Sequence, residues 1–212
     1  LRTYEAEGFG EANVKDVVAK MAPEVEKAKA LGVTALVECS PVGVARRAEM
    51  DKAVSDATDF PVVVPTGIYR EPWIPPWAQK AGQSELTEWM LKELTDQIED
   101  TGIQAAWIKL SAGDDGLTET EIKILRAAAH AGKQTNAIIG SHTIRGWVVR
   151  NQLDIPEAEG YIASRFIWLH TQADHAFGLH LDMAGGGCRV DFVGIGQYHA
   201  SSARNIRCNS QT

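Results

Sequence analysis

With 212 residues, 44% of them hydrophobic, the chain can bury one sizeable core and reads as a single domain. Its formal charge of −7 and pI near 5.4 argue against nucleic acid as a main partner, because phosphate binding calls for a basic face. No apolar run approaches the roughly 18 residues of a membrane span, so no membrane partner is expected.

The predicted elements alternate. Val14, Val17, Val18, Met21, Val25 and Ala28 recur at helical spacing and predict a helix over 14–31, stopped by Gly32, with Pro23 as a point for a kink. A strand over 33–39, a helix over 45–58 and a strand over 61–66 follow. Residues 67–84 form a long connection rich in Pro and Trp, long enough to suggest an active-site loop. Leu86, Trp89, Met90 and Leu94 mark a helix over 85–100. A strand over 105–110 leads to a polar turn, and Thr118 with Glu121 makes a capping box for a helix to about 131. Beyond it come a strand over 137–142, a helix over 147–159 that Pro156 is expected to break, and a strand over 165–170. A helix over 174–184 and a strand over 189–194 complete the pattern. Strand-then-helix alternation of this kind predicts an α/β fold, a parallel sheet with helices outside it. No Gly-x-Gly-x-x-Gly follows an early strand, so a dinucleotide fold has little support.

Lys109 is the informative residue. It lies in a strand-like run, where a lysine is costly unless its amine is used. His142 and His170 end the next two strand-like runs, 28 residues apart. One amine and two imidazoles at successive strand ends favour a β/α barrel, which keeps its chemistry at that rim, and point to a metal site. A buried lysine loses its proton readily, and its neutral amine can take up carbon dioxide to become a carbamate ligand able to bridge two metals. The same amine would also serve Schiff-base chemistry. His130, His175, His180 and His199 read as structural or solvated. Glu38 is a weak signal on its own, and Tyr69 is as well suited to core packing as to orienting a substrate. Three widely spaced cysteines, Cys39, Cys188 and Cys208, give neither a disulfide framework nor a zinc ribbon and favour a reducing compartment, the cytoplasm.

Six segments carry a resemblance: LVECSP at 36–41, TGIY at 66–69, WIKL at 107–110, EIKILRAAA at 121–129, IGSHT at 139–143 and IWLHT at 167–171. In this order and spacing they resemble the phosphotriesterase family of the amidohydrolase superfamily, which includes the phosphotriesterase-like lactonases. The resemblance implies a (β/α)8 TIM-barrel-type fold with a centre of two divalent metals, commonly zinc. Lys109, carboxylated, would be the bridging and catalytic lysine, with His142 and His170 as metal ligands from strands five and six and Tyr69 at the substrate. The implied activity is hydrolysis of a small-molecule ester, lactone or organophosphate by a metal-bound hydroxide.

The chain also departs from the family. No His-x-His, the first-strand metal pair, occurs anywhere; Val193 stands where the family has an acid; and Asp191 is out of register by two. The first residue is Leu1, so the natural N-terminus is expected upstream and a removed targeting peptide stays open. The expectation is an incomplete barrel over 1–196 with strands two to seven present and strands one and eight missing, then an irregular tail over 197–212. Missing ligands imply fewer metals than two, or none, and a loss of activity. The alternatives are a non-catalytic barrel remnant serving as a binding module and a Schiff-base lyase using Lys109. Exposed sheet edges favour a homo-oligomer.

Overall fold

Helix α1 (Val14–Ala30) begins where the Asn13 side chain accepts a hydrogen bond from the Asp16 backbone N–H. Asp16 lies in its first turn and Lys27 and Lys29 in its last, which suits the helix dipole. In this computed structural model, which describes residues 12–192, the predicted alternation then continues to the end. Strand β1 (Leu36–Val37) leads to α2 (Ala48–Thr58), β2 (Val62–Val63) and β3 (Pro65–Thr66). The connection that follows contains the short α3 (Pro76–Lys80) and leads into α4 (Gln83–Thr95). After β4 (Trp107–Ser111) come α5 (Glu119–Thr135), β5 (Ile139–His142), α6 (Gly146–Ala158), β6 (Phe166–Leu169), α7 (Phe177–Gly185) and β7 (Arg189–Val190).

Every strand pair is parallel, and neighbours in the sheet are neighbours in the chain: β1 beside β2, and β3, β4, β5, β6 and β7 in that order. A doubly wound sheet would reverse its order at a switch point; this one does not, so it is an arc of a barrel. The predicted strand over 61–66 is one extended segment that changes partner at Val64. Pro61 and Val63 accept from Leu36 and Glu38 on one side, and Val64 accepts from Ala106 on the other. Gly67 closes the segment onto β4. Its φ of +110° and a would-be Cβ only 2.1 Å from the Lys109 carbonyl oxygen leave room for no side chain.

The core lies between the helices and the middle of the arc, where Ile108, Ile139, Phe166 and Trp168 meet Leu86, Met90, Ile124 and Leu125. The capping box forms as expected: Glu121 N–H donates to the Thr118 hydroxyl, and Thr118 N–H donates to the Glu121 carboxylate.

Several boundaries shift. Pro156 does not break α6: it falls in the last turn, where only two helical residues follow it, and its carbonyl still accepts from Glu159 and Tyr161. The 33–39 strand shrinks to two residues, both exposed (Leu36 38%, Val37 57%). The tail over 197–212, with His199 and Cys208, and position 193 lie outside the described residues. Among the described residues no helix is long and apolar enough to cross a membrane.

Candidate active site

Adjacent residues of parallel strands point to the same face, and faces alternate along each strand. Lys109 pairs with Gly140, so Trp107, Lys109, Gly140 and His142 share one face. Gly140 is part of how the site is packed: an added Cβ would stand 2.6 Å from the Trp107 ring. The missing side chain thus lets the indole fill the layer beneath the lysine.

His170 reaches the site by a different route. Simple alternation would set it on the face of Trp168, whose indole packs 5.2 Å from the His180 ring of α7 and donates to the Thr143 carbonyl. Instead His170 ends β6 in the left-handed region, at φ 67°, and this turn carries its ring to 4.3 Å from that of His142, centroid to centroid. The Tyr69 ring stands 5.7 Å from His142, and the Lys109 Nζ lies 5.6 Å from the Tyr69 ring centre. The four residues singled out from the sequence therefore meet at the C-terminal ends of β3 to β6.

Burial lowers the basicity of the amine and of both imidazoles. Lys109 is buried, and its one hydrogen bond goes to the carbonyl of the next residue, Leu110, at 2.8 Å. Burial lowers its pKa to about 8, against the opposing pull of Cys39 and Glu38. Burial, helped by His170, Lys109 and Arg70, lowers that of His142 to about 3. His170 is also held below the ordinary imidazole range, by burial first and then Lys109, with Asp191 acting in the other direction. Both rings are thus neutral at physiological pH, the form that binds a metal.

Three further groups face the same rim. Glu38, whose carboxylate accepts from the Ser40 backbone N–H at 2.7 Å, acts on Lys109 and Cys39. Asp191 acts on both His170 and Cys39. A two-residue shift along a strand preserves the face, so an acid out of register by two still points inward, one layer deeper. Arg70, which the sequence reading passed over, lies against Tyr69 and Trp73, and only its place directly after Tyr69 signals it in the sequence. The remaining histidines among the described residues stay apart from this rim: His130 pairs with Glu159 at 2.8 Å, His175 is exposed, and His180 is boxed by Trp168, Phe177 and Phe192.

The donor set fits one divalent ion. Neither imidazole of His142 and His170 is hydrogen-bonded among the described residues, and the Lys109 amine is held only by its own strand. Among the described residues no three His, Cys, Asp or Glu side chains converge closely enough to hold an ion by themselves.

Comparison with known proteins bears on the fold. The model of the phosphotriesterase family matches residues 5–210. A phosphotriesterase homology protein of Mycobacterium tuberculosis is 32% identical over 176 residues, covering 78% of this chain and 52% of its own. A phosphotriesterase-related protein of Nematostella vectensis is 30% identical over 210 residues, covering 96% and 59%. This chain thus spans between half and three-fifths of the length of these relatives. Among solved structures, the phosphotriesterase homology protein of Escherichia coli superposes with a TM-score of 0.81 at 26% identity, over 88% of this chain and 66% of that one.

Proposed function

Since the chain belongs to the phosphotriesterase family, we propose that its rim is the site of a metal-dependent hydrolase for small-molecule esters of lactone or phosphotriester type. The observation that carries the reading is the approach of two neutral imidazoles, His142 and His170, beside a buried amine of lowered basicity. Lys109, as amine or carbamate, and the two histidines would hold the ion, zinc in the first instance. When bound, a divalent ion of this kind polarises an ester or phosphoryl oxygen and makes water a better nucleophile at neutral pH.

The chain's own residues do the rest. Tyr69 offers an aromatic wall beside His142, against which an ester can lie. Glu38 and Asp191 hold negative charge at the rim, where a proton released during hydrolysis can be taken up. The site opens at the strand ends, and the long 67–84 connection borders it. The Escherichia coli relative was solved with phosphate in its active site, which favours a substrate with a tetrahedral phosphoryl or carboxyl-derived centre.

Metal content after dialysis, followed by turnover of a paraoxon-like phosphotriester and a simple lactone, tests the reading. One tightly held ion per chain is expected, with turnover falling at least about 100-fold in Lys109→Ala and in His142→Ala, more than loss of an outer-shell partner costs. No retained ion and no turnover would overturn it in favour of a binding module, which the lack of three converging His, Cys, Asp or Glu ligands among the described residues favours. Borohydride trapping of a carbonyl substrate on Lys109 would instead make the lysine a nucleophile.

A further inference from the structure

Arg70 directly follows the wall residue Tyr69, and its guanidinium is placed with some precision. Its Cζ lies 5.1 Å from the ring centre of Trp73 and 6.0 Å from that of Tyr69, and Nη1 stands 3.5 Å from where a Cβ on Gly113 would be. Two aromatic faces and a glycine turn thus form a slot that fits this planar group. The side chain is half-buried, and its Nε is fully buried with no hydrogen-bond acceptor. No carboxylate among the described residues pairs with it. Asp114, in the neighbouring turn, lies 3.7 Å from Arg145, and the Glu121 carboxylate is taken by the backbone N–H groups of Glu71 and Thr118.

A buried donor without an acceptor is costly, and more so on a charged group. The cost is raised here because the same rim already holds Lys109. Such a group is kept where a ligand supplies the acceptor. A guanidinium presents its donors as a fork that matches a carboxylate with two parallel bonds, and one guanidinium balances one negative charge.

We infer that Arg70 is a specificity residue that binds a carboxylate on the substrate, so that the ester hydrolysed here is an anionic one, carrying its carboxylate a few bonds from the scissile group. The word substrate rests on the hydrolase reading above; the anion site does not. Tyr69 lies between the two functions, against His142 on one contact and Arg70 on another. An ester lying along that ring would present its reacting carbonyl to the Lys109, His142 and His170 group while its carboxylate meets Arg70.

Two measurements test this independently. The first is succinate binding to the dialysed protein, read by calorimetry, for wild type, Arg70→Gln and the surface variant Arg126→Gln. Binding should weaken about 10- to 100-fold in Arg70→Gln, the span expected for a charge-assisted pair, and stay unchanged in Arg126→Gln. The second is the kcat/KM of the metal-loaded protein on mono(4-nitrophenyl) succinate against 4-nitrophenyl butyrate, which differ by a carboxylate in place of a methyl. Wild type should prefer the anionic ester, and Arg70→Gln should erase that preference mainly through KM while leaving the neutral ester within about threefold. Unaltered succinate binding in Arg70→Gln, or an equal loss on both esters, would overturn the assignment and leave Arg70 as a packing residue for Trp73. Arg70-dependent succinate binding without turnover of either ester would keep the anion site and defeat the hydrolase reading instead.

Discussion

Strand β1 is wholly apolar and strand β4 carries a lysine and a serine, yet their burial runs the other way. Leu36 and Val37 of β1 pair with β2 alone, and both are exposed. The five residues of β4 have strands on both sides and are all buried, Lys109 among them. The helices differ in the same way: α1 buries only Val25, against Val54 and Phe60, whereas α5 buries eight residues. Burial is conferred by neighbours rather than by composition, and the donor set stands on the strands that have neighbours on both sides. A lysine on β1 would stay solvated and keep its ordinary basicity; on β4 burial weakens its hold on the proton.

One buried ion pair joins the two regions. Arg46, from the segment after β1, makes a two-pronged contact with Glu93 of α4, at 2.5 and 2.8 Å, and Thr66 of β3 donates to the same carboxylate at 2.7 Å. The largest effect on stability should therefore come from Glu93→Ala, which leaves the buried Arg46 guanidinium facing only the exposed Glu99 carboxylate. We expect a loss of about 3–5 kcal/mol by urea denaturation. Glu99→Ala removes only the exposed partner of the same arginine and should cost under about 0.5 kcal/mol. Equal costs for the two would break the idea that this pair bolts the edge to the centre.

Next in size, Ile139→Ala, at a fully buried position of β5, should cost about 2–5 kcal/mol, by lost burial plus the cavity left behind. Leu36→Ala on β1 should stay within about 0.5 kcal/mol. A Leu36 variant as costly as the Ile139 variant would mean that β1 is covered in solution.

The pH dependence of the metal-free protein sharpens the contrast at Lys109 and His142. Between about 8 and the ordinary 10.5 the unfolded chain holds a proton on Lys109 that the native one has lost. Stability should thus rise with pH across that window, and Lys109→Met should flatten the rise. For His142 the window runs from the ordinary 6.5 down to about 3. The unfolded chain gains a proton there first, so stability falls as pH falls, and His142→Gln should remove part of that fall. Denaturation midpoints measured across both windows check the two signs.

Much of the site was legible in the sequence. Lys109 stood out because a charge inside an apolar run contradicts its surroundings, and His142 because it ends such a run. Tyr69 was legible only as one of two equal choices, and the structure places it against both His142 and Lys109. Arg70 was not legible, because its slot is built from Trp73, three residues on, and Gly113, from a different loop. His170 was expected at the rim, yet alternation along β6 would have turned it away; the left-handed turn that brings it back has no signature in its residue type.

The order of elements, the barrel class and the choice of Lys109, His142 and His170 as candidates follow from the amino-acid sequence alone, because periodicity and the cost of burying charge act locally and leave their mark residue by residue. Which strands are covered, how close two imidazoles come, and whether a guanidinium keeps a counter-charge were decided only by the tertiary structure. Those properties depend on what distant segments place beside a residue, and a low dielectric acts on a group only once its neighbours have closed around it.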